Sequence, residues 1–481
     1  MSFWDYNRKH VGKQLNSDIC VDTLIIGAGM TGLMTAYNLR NKSSVCVVDV
    51  SEFGRGVTLN TTAKITYFQQ RVYTQIKSLA GEKSAVMYLK GQLESIKMLE
   101  YIIKNESIDC DFKRTPSFVF ANNESEVTKL EQEVDFLRSH GVSVIEKEVP
   151  FNVRSFSSFC VEDTYTFHPL KFLRAIYDIV SKKVSIYENT PIVNIKESDG
   201  LYYCYSPRGI IKASKVVIAC HYPFFLFPYF MPIRSYIEKS YVVVSRVLNN
   251  GGYSCISSSN PVYSCRFYQS GNDIYQLSLS ESHNTSVKQN DAMHFENVKK
   301  YFGLMEKDIV DCYSNVDIMT VDFMPYIGKI KNNMYIGTGY NTWGMTNSVL
   351  AGKILSDLVE KRYNPYINIF NPTRKGVAFF NKIPYNLLGQ AKSFIGTKIN
   401  KYKSWYSDNL YLYSKNGKKL GVYIDDGGRK HMVTTTCPHM GCSLIFNESE
   451  LTWDCPCHSS RFSIDGECIK GPSTLDIRYP N

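Results

Sequence analysis

The sequence predicts an α/β fold built on a parallel sheet, with an inserted antiparallel sheet and a small all-β domain at the C-terminal end. Three observations carry this expectation. A glycine-rich strand-to-helix turn lies at residues 27–32, and a second follows a short strand at residues 337–346. Between them, residues 233–320 alternate apolar and polar residues over short runs, the pattern of an antiparallel sheet with one covered face. Finally, five of the fourteen cysteines crowd between Cys437 and Cys468 and alternate there with histidines.

The first turn organises the chain. Residues 24–26 are a short apolar run, as in a buried parallel strand, and they lead into Gly27-Ala28-Gly29-Met30-Thr31-Gly32. In this spacing Gly27 makes the tight turn, Gly29 lets the backbone approach a pyrophosphate, and Gly32 lets the helix pack on the strand. The helix over residues 33–39 aims its first N–H groups at the phosphates. A second strand, residues 45–48, ends in Asp49, where a ribose-binding acid belongs. The unit predicts a dinucleotide site without separating FAD from NAD.

Composition bounds the rest. A chain of 481 residues has room for two or three domains, and 44% hydrophobic residues is ordinary for a globular protein. Residues 1–22 show no apolar signal segment. The most apolar long stretch, 216–233, contains His221 and three prolines, which suits a strand and loop rather than a membrane span. A cytoplasmic location follows by default. Nine cysteines scattered before residue 320 read as reduced thiols. The net charge of +10 is concentrated in residues 361–404, which hold nine Lys or Arg and no Asp or Glu. A basic connector between domains explains them better than nucleic-acid binding, because no nucleic-acid-binding module accompanies them.

The loop after the second strand, Gly54-Arg55-Gly56-Val57-Thr58-Leu59-Asn60-Thr61-Thr62-Ala63-Lys64, carries small and hydroxyl side chains suited to wrapping a phosphate and a flat ring. It resembles the flavin loop of FAD-dependent oxidoreductases of the D-amino-acid oxidase type, which include glycine and sarcosine oxidases. The resemblance implies FAD as cofactor, with Arg55, Thr58 and Thr62 beside it and Lys64 as a cation near the isoalloxazine. A surface lysine is the alternative. Helical spacing covers residues 68–105 and 124–140, and a helix starts after His168. Strand patterns follow at 184–195, 202–205 and 215–222. By resemblance the chain returns here to the flavin domain, and Val193 touches the adenine side.

The alternating region 233–320 is, by the same resemblance, the substrate domain that roofs the flavin. Arg266 is a candidate for a substrate carboxylate, since a guanidinium fork matches it, with a surface arginine as the alternative. Tyr241 is a second, equally ambiguous candidate. Beyond it, Gly337-Thr338-Gly339-Tyr340-Asn341-Thr342-Trp343-Gly344-Met345-Thr346 opens a helix running to about residue 360. It resembles the family's C-terminal flavin motif, which implies that Gly344, Met345 and Thr346 hold the flavin's pyrimidine end.

The last stretch reads Cys437-Pro438-His439-Met440-Gly441-Cys442 and then Cys455-Pro456-Cys457-His458. Cys437 and Cys455 suit one iron and His439 and His458 the other, the ligand set of a Rieske 2Fe-2S centre. A Cys2His2 zinc site is the rival. Residues 405–479 resemble Rieske domains of the cytochrome-complex type, which implies a Cys442–Cys457 disulfide between the cluster loops. Ser460 retains a hydroxyl for a cluster sulfur. Phe462 stands where the family has tyrosine, which implies a lower potential.

Together these readings predict an FAD-dependent oxidoreductase over residues 1–360. Its FAD segments are expected at about 20–70, 150–225 and 320–360, and its substrate domain at about 226–320. A basic linker, 361–404, and a Rieske domain, 405–481, complete the chain. The expected reaction removes a hydride from a small-molecule amine, amino acid or hydroxy acid, with electrons passing between FAD, the 2Fe-2S cluster and an external carrier. A non-catalytic electron-transfer or redox-sensing protein is the alternative. A Rieske oxygenase is disfavoured, because no histidine pair outside the cluster motif has the spacing for a mononuclear iron.

Overall fold

A computed structural model describes residues 3–4, 12–42, 44–150, 154–223, 234–249, 251–285, 290–374 and 409–479. Its first sheet has the strand order Asn194–Ser198, Leu201–Ser206, Gly209–Ile218, Ile19–Ile26, Val45–Val48, Ser185–Tyr187. Ile19–Ile26 runs parallel to both neighbours, with Leu24 opposite Cys46 on one side and Val216 on the other. Met334–Thr338 continues the sheet beside the C-terminal half of Gly209–Ile218, also in parallel. Strands buried on both faces need continuous apolar runs, and 24–26, 45–48 and 216–218 supply them. Helices Met30–Leu39 and Gly344–Val359 pack together on one face, within a core that includes Leu33, Val47, Val349 and Leu355.

The second sheet is larger in reach than the sequence implies. Its order is Ile309–Thr320, Ser235–Val247, Asp273–Asn284, Ser264–Ser270, Ser254–Ser257, Ser117–Ala121, Ser157–Val161, Ile145–Glu146. The expected FAD segment 150–225 is therefore divided. Ser157–Val161 pairs with Ser117–Ala121 in this sheet, and only the chain from His168 onward returns to the first. Strand pairing of short segments depends on partners far away in sequence, so local pattern did not assign it.

The connector also starts later than expected. Helix Ile367–Phe370 buries Phe370, and Arg374 reaches back to Asp322 with Nε–Oδ2 and Nη2–Oδ1 distances of 2.7 and 2.8 Å. Residues 361–374 thus belong to the folded body, and the rest of the basic connector lies outside the described residues.

Residues 409–479 form two small antiparallel sheets, Leu410–Lys415 to Lys430–Thr434 and Ile445–Asn447 to Cys468–Lys470. Trp453 and Phe462 fill their core beside the cysteines. This domain docks on the second sheet through buried charge. Arg461 donates to Asp454 Oδ1 and Oδ2, both at 2.8 Å, to Glu450 Oε1 at 2.9 Å and to Ser314 Oγ at 2.8 Å. Ser314 in turn donates its backbone N–H to Glu450 at 3.0 Å, and its hydroxyl to the same carboxylate. Lys239 bridges Asp291, at 2.6 Å, and Asp454, at 3.5 Å. Burial pushes the Asp454 carboxyl up, but Arg461 and Lys239 outweigh it and hold the group well below its usual range.

Arg461→Met should leave Glu450 and Asp454 buried without their guanidinium. Loss of one partner of a buried pair costs about 3–5 kcal/mol. Thermal melts followed by circular dichroism should show an earlier transition in the variant; an unchanged melt would remove the arginine from the docking.

Candidate active site and iron–sulfur centre

The two glycine turns meet at one cavity. Gly27, Gly29, Met30 and Thr31 line it from the first turn, and Gly337, Gly344 and Met345 from the second. Both following helices begin here, so two sets of unpaired N–H groups converge on it. Thr31 joins the turns through a 2.8 Å hydrogen bond with the Tyr340 hydroxyl and a 3.1 Å bond to Ser348.

The glycines differ in what requires them. Gly27 has φ +114°, and a Cβ there would meet the Ala219 carbonyl at 2.7 Å. A Cβ on Gly32 would sit 1.8 Å from the Gly27 carbonyl oxygen, so only glycine lets the helix approach the strand. On Gly29 it would meet nothing nearer than Thr58 Oγ1 at 3.9 Å, and on Gly344 nothing within 4 Å. Those two positions border open space, as a cradle for a pyrophosphate and ring should.

Asp49 ends its strand at the same cavity, accepting from Ala28 N at 2.6 Å and Ser51 N at 2.9 Å. Burial raises its pKa, and these N–H groups oppose the rise. Thr58 also lines the cavity.

A second cavity lies against the antiparallel sheet, lined by Thr62, Lys64, Glu238, Ser264 and Trp343 among others. Thr61, Asn315, Asp317, Thr342 and Met345 line both cavities. Lys64 is buried and donates to Cys255 O at 3.3 Å and to the Ser264 hydroxyl. At 9% exposure it is not a surface lysine, and burial lowers its pKa to about 8.

Several candidates fall away. Arg266 is 1% exposed, and its Nη1 donates to the carbonyls of Thr62, Ala63 and Phe167 at 2.8, 2.9 and 3.1 Å. It braces the loop before Lys64 and lines neither cavity, so it does not face a substrate carboxylate there. Tyr241 points to the other face of the sheet, where its hydroxyl donates to Asp291 Oδ1 at 2.5 Å and meets His283 Nε2 at 3.0 Å. Arg55 is exposed and paired with Glu52 at 3.2 Å. Val193 is 39% exposed, while Thr190 and Ile192 line the cavity in its place. Thr346 is buried in the helix packing, hydrogen-bonded to Gln69 and Trp343. Thr62 lines the second cavity rather than the first.

In the C-terminal domain Cys437 and Cys455 are buried side by side. Hydrogen bonding with Cys455 holds the Cys437 thiol down at about 7 against burial, assisted by backbone N–H groups and the Ser460 hydroxyl. The rings of His439 and His458 stand perpendicular with centroids 4.9 Å apart. His458 Nδ1 is buried with no hydrogen-bond partner among the described residues. Two sulfurs, two imidazoles and an orphaned ring nitrogen are what a Rieske cluster requires. Cys442 and Cys457 form a disulfide, so their proximity to Cys455 does not make a three-sulfur metal site.

The cluster domain completes the first cavity, a long-range contact that no local sequence pattern signals. Ile469, Lys470, Gly471, Pro472, Ser473 and Thr474 form part of its wall. Between cavity and cluster stand His221 and Tyr222, which line the cavity, and the Tyr222 ring lies 5.4 Å from that of His458.

Residues 22–358 match the family model of FAD dependent oxidoreductases, and residues 406–479 match the Rieske [2Fe-2S] domain. The chain belongs to the FAD dependent oxidoreductase family. It is an oxidoreductase whose cofactors are FAD and a Rieske 2Fe-2S cluster. Across both domains it is 31% identical to the Bacillus subtilis Rieske 2Fe-2S iron-sulfur protein YhfW, over 96% of this chain and 94% of that one. Escherichia coli gamma-glutamylputrescine oxidoreductase is 21% identical over 78% of this chain and 93% of its own. Glycine oxidase from Geobacillus kaustophilus shares the fold of the oxidoreductase part, with a TM-score of 0.63 at 17% identity, covering 74% of this chain and 99% of its own. No helix among the described residues is long and apolar enough to cross a membrane.

Two variants test the flavin site. Gly29→Val should fold, since its Cβ enters open space, yet purify without FAD because the side chain fills the pyrophosphate cradle. An FAD-to-protein absorbance ratio equal to wild type would move the site elsewhere. Lys64→Met should retain FAD. If Lys64 lies beside the flavin, its ammonium form, present below about pH 8, would favour the anionic reduced ring, and the flavin potential should fall relative to a proton-independent baseline as pH rises through 8. Spectroelectrochemical titration should show that inflection lost in the variant.

Proposed function

We propose that this enzyme oxidises the C–H bond next to the nitrogen of an amine or amino acid, and that the electrons leave through the C-terminal cluster to an external carrier. Bound FAD supplies the hydride acceptor and the cluster a one-electron acceptor. Gly27, Gly29, Asp49, Thr58, Gly344 and Met345 would hold FAD, with Gly32 setting the helix close enough for them to do so. Cys437 and Cys455 would hold one iron, and His439 and His458 the other.

One observation carries the reading: the cluster domain's 469–474 loop and the glycine turns line the same cavity, with Tyr222 reaching from that cavity to the cluster ligand His458. Contact this close favours electron exchange inside one chain over exchange between separate molecules. The second cavity supports a substrate site, since it is contiguous with the first through Asn315, Asp317, Thr342 and Met345. Lys64 would present its charge there. Relatives in sequence and fold are named for gamma-glutamylputrescine and glycine, which supports a nitrogen-bearing substrate. Among the described residues, Cys20, Cys46, Cys110, Cys160, Cys204, Cys255, Cys265 and Cys312 are in no disulfide, which supports a reducing setting.

Anaerobic mixing with a library of amines and amino acids tests the proposal. One substrate should bleach the flavin and, in the same sample, produce the rhombic electron paramagnetic resonance signal of a reduced Rieske centre. Bleaching without that signal would remove the cluster from the path, and a library that bleaches nothing would remove the substrate class.

A further inference from the structure

We propose that Glu238, Asp317 and Asn315 form a subsite for the cationic nitrogen of an amine that carries no α-carboxylate. This deepens, and rests on, the amine-or-amino-acid reading above. Glu238 and Asp317 lie directly opposite one another on neighbouring antiparallel strands, and both line the second cavity. Cross-strand neighbours of like charge repel. Burial raises both carboxyls, Glu238 to about 7 with the Asp317 charge adding to the rise, while Lys470 opposes the rise at Asp317. Among the described residues the Glu238 carboxylate has no hydrogen bond or ion pair. The charge facing Asp317 is Lys470, itself lowered by burial and by Arg461.

Asn315 gives an independent indication of a ligand. It is 7% exposed and lines the same cavity, and its Nδ2 donates to Asp317 Oδ2 at 3.3 Å. Its Oδ1 is buried with no hydrogen-bond partner. A buried acceptor left unpaired is costly, and two carboxylates beside it make the deficit one of donors and positive charge. An ammonium supplies both.

Among the described residues, a carboxylate finds no matching fork in this cavity. Arg266 is bound to backbone carbonyls. Arg71, which also lines the cavity, pairs with Glu126 at 3.1 Å and donates to Ser258 O at 3.3 Å. Lys64 is bound to Cys255 O and Ser264.

The test uses two probes that cannot be oxidised, because the carbon bearing nitrogen has no hydrogen. Tert-butylamine has a methyl group where 2-aminoisobutyrate has a carboxylate. Calorimetric titration of the FAD- and cluster-loaded protein should show tert-butylamine binding at least about tenfold tighter, the worth of one charge-assisted hydrogen bond. Glu238→Gln should weaken tert-butylamine about tenfold and leave 2-aminoisobutyrate unchanged, while Glu238→Asp recovers part of the loss. The flavin and Rieske spectra of both variants should match wild type, which separates the effect from misfolding. Equal or tighter binding of 2-aminoisobutyrate would overturn the proposal, as would undiminished tert-butylamine binding in Glu238→Gln or no binding of either probe. Since neither probe turns over, these results are independent of whether any amine reduces the flavin, which is the test of the oxidation reading.

Discussion

The arrangement of this molecule depends on the guanidinium of Arg461. It satisfies two carboxylates, Glu450 and Asp454, and reaches across the domain boundary to Ser314. Burying three charges is costly unless each hydrogen-bonding position is matched, and a planar fork with several donors matches a carboxylate pair better than an ammonium can. The Ser314 hydroxyl accepts from Arg461 and donates to Glu450, so the contact is specific in register as well as charge. Remove that registration, and among the described residues the Lys239–Asp454 bridge and the Tyr222–His458 ring contact are left to hold the 469–474 loop against the flavin cavity.

That loop changes the electrostatics of the cavity it closes. Lys470 enters a buried region already occupied by Arg461 and faces Asp317, so burial and like charge both favour its neutral form. His221, at the same wall, is pushed down to about 3 by burial, with Lys470 adding to the effect, and stays neutral at physiological pH. Burial thus disfavours the charged forms of Lys470 and His221 at the boundary between the two cofactor sites. In a buried region the local dielectric is low and each remaining charge acts more strongly.

The parts legible in the sequence were those whose chemistry is local. Gly27, Gly29 and Gly32 are fixed by backbone geometry over six residues, and Cys437, His439, Cys455 and His458 by ligand spacing in two short loops. Each strand and helix at these motifs formed where the apolar pattern required. The failures share a cause. Arg266, Tyr241, Val193 and Arg55 were assigned from position in an element or from a resemblance, but the direction of a side chain depends on which neighbour the strand pairs with. Arg266 turned inward because the carbonyls of Thr62, Ala63 and Phe167 lacked donors, a need invisible until 200 residues of chain are folded together. Glu238 and Asp317 left one faint sign, acids inside otherwise apolar alternating runs. Only strand pairing made them neighbours.

The same alternation explains how one pair of strands serves both functions. Along Ser235–Val247, Tyr236, Glu238 and Ser240 line the second cavity; along Ile309–Thr320, Asn315, Asp317 and Met319 do the same. The intervening residues face the other way. Lys239 meets Asp454, Ser314 meets Glu450, and Ile237, Val316 and Ile318 pack on Tyr222, which touches His458. Successive side chains of a strand take opposite faces, so a slip of one residue would move the acids to the docking face and the docking groups into the cavity. The pairing of Glu238 with Asp317 and of Tyr241 with Ser314 is thus one constraint. The cavity's acidic wall and the seat of the cluster domain are the two sides of a single register, and neither can be altered by insertion or deletion without displacing the other.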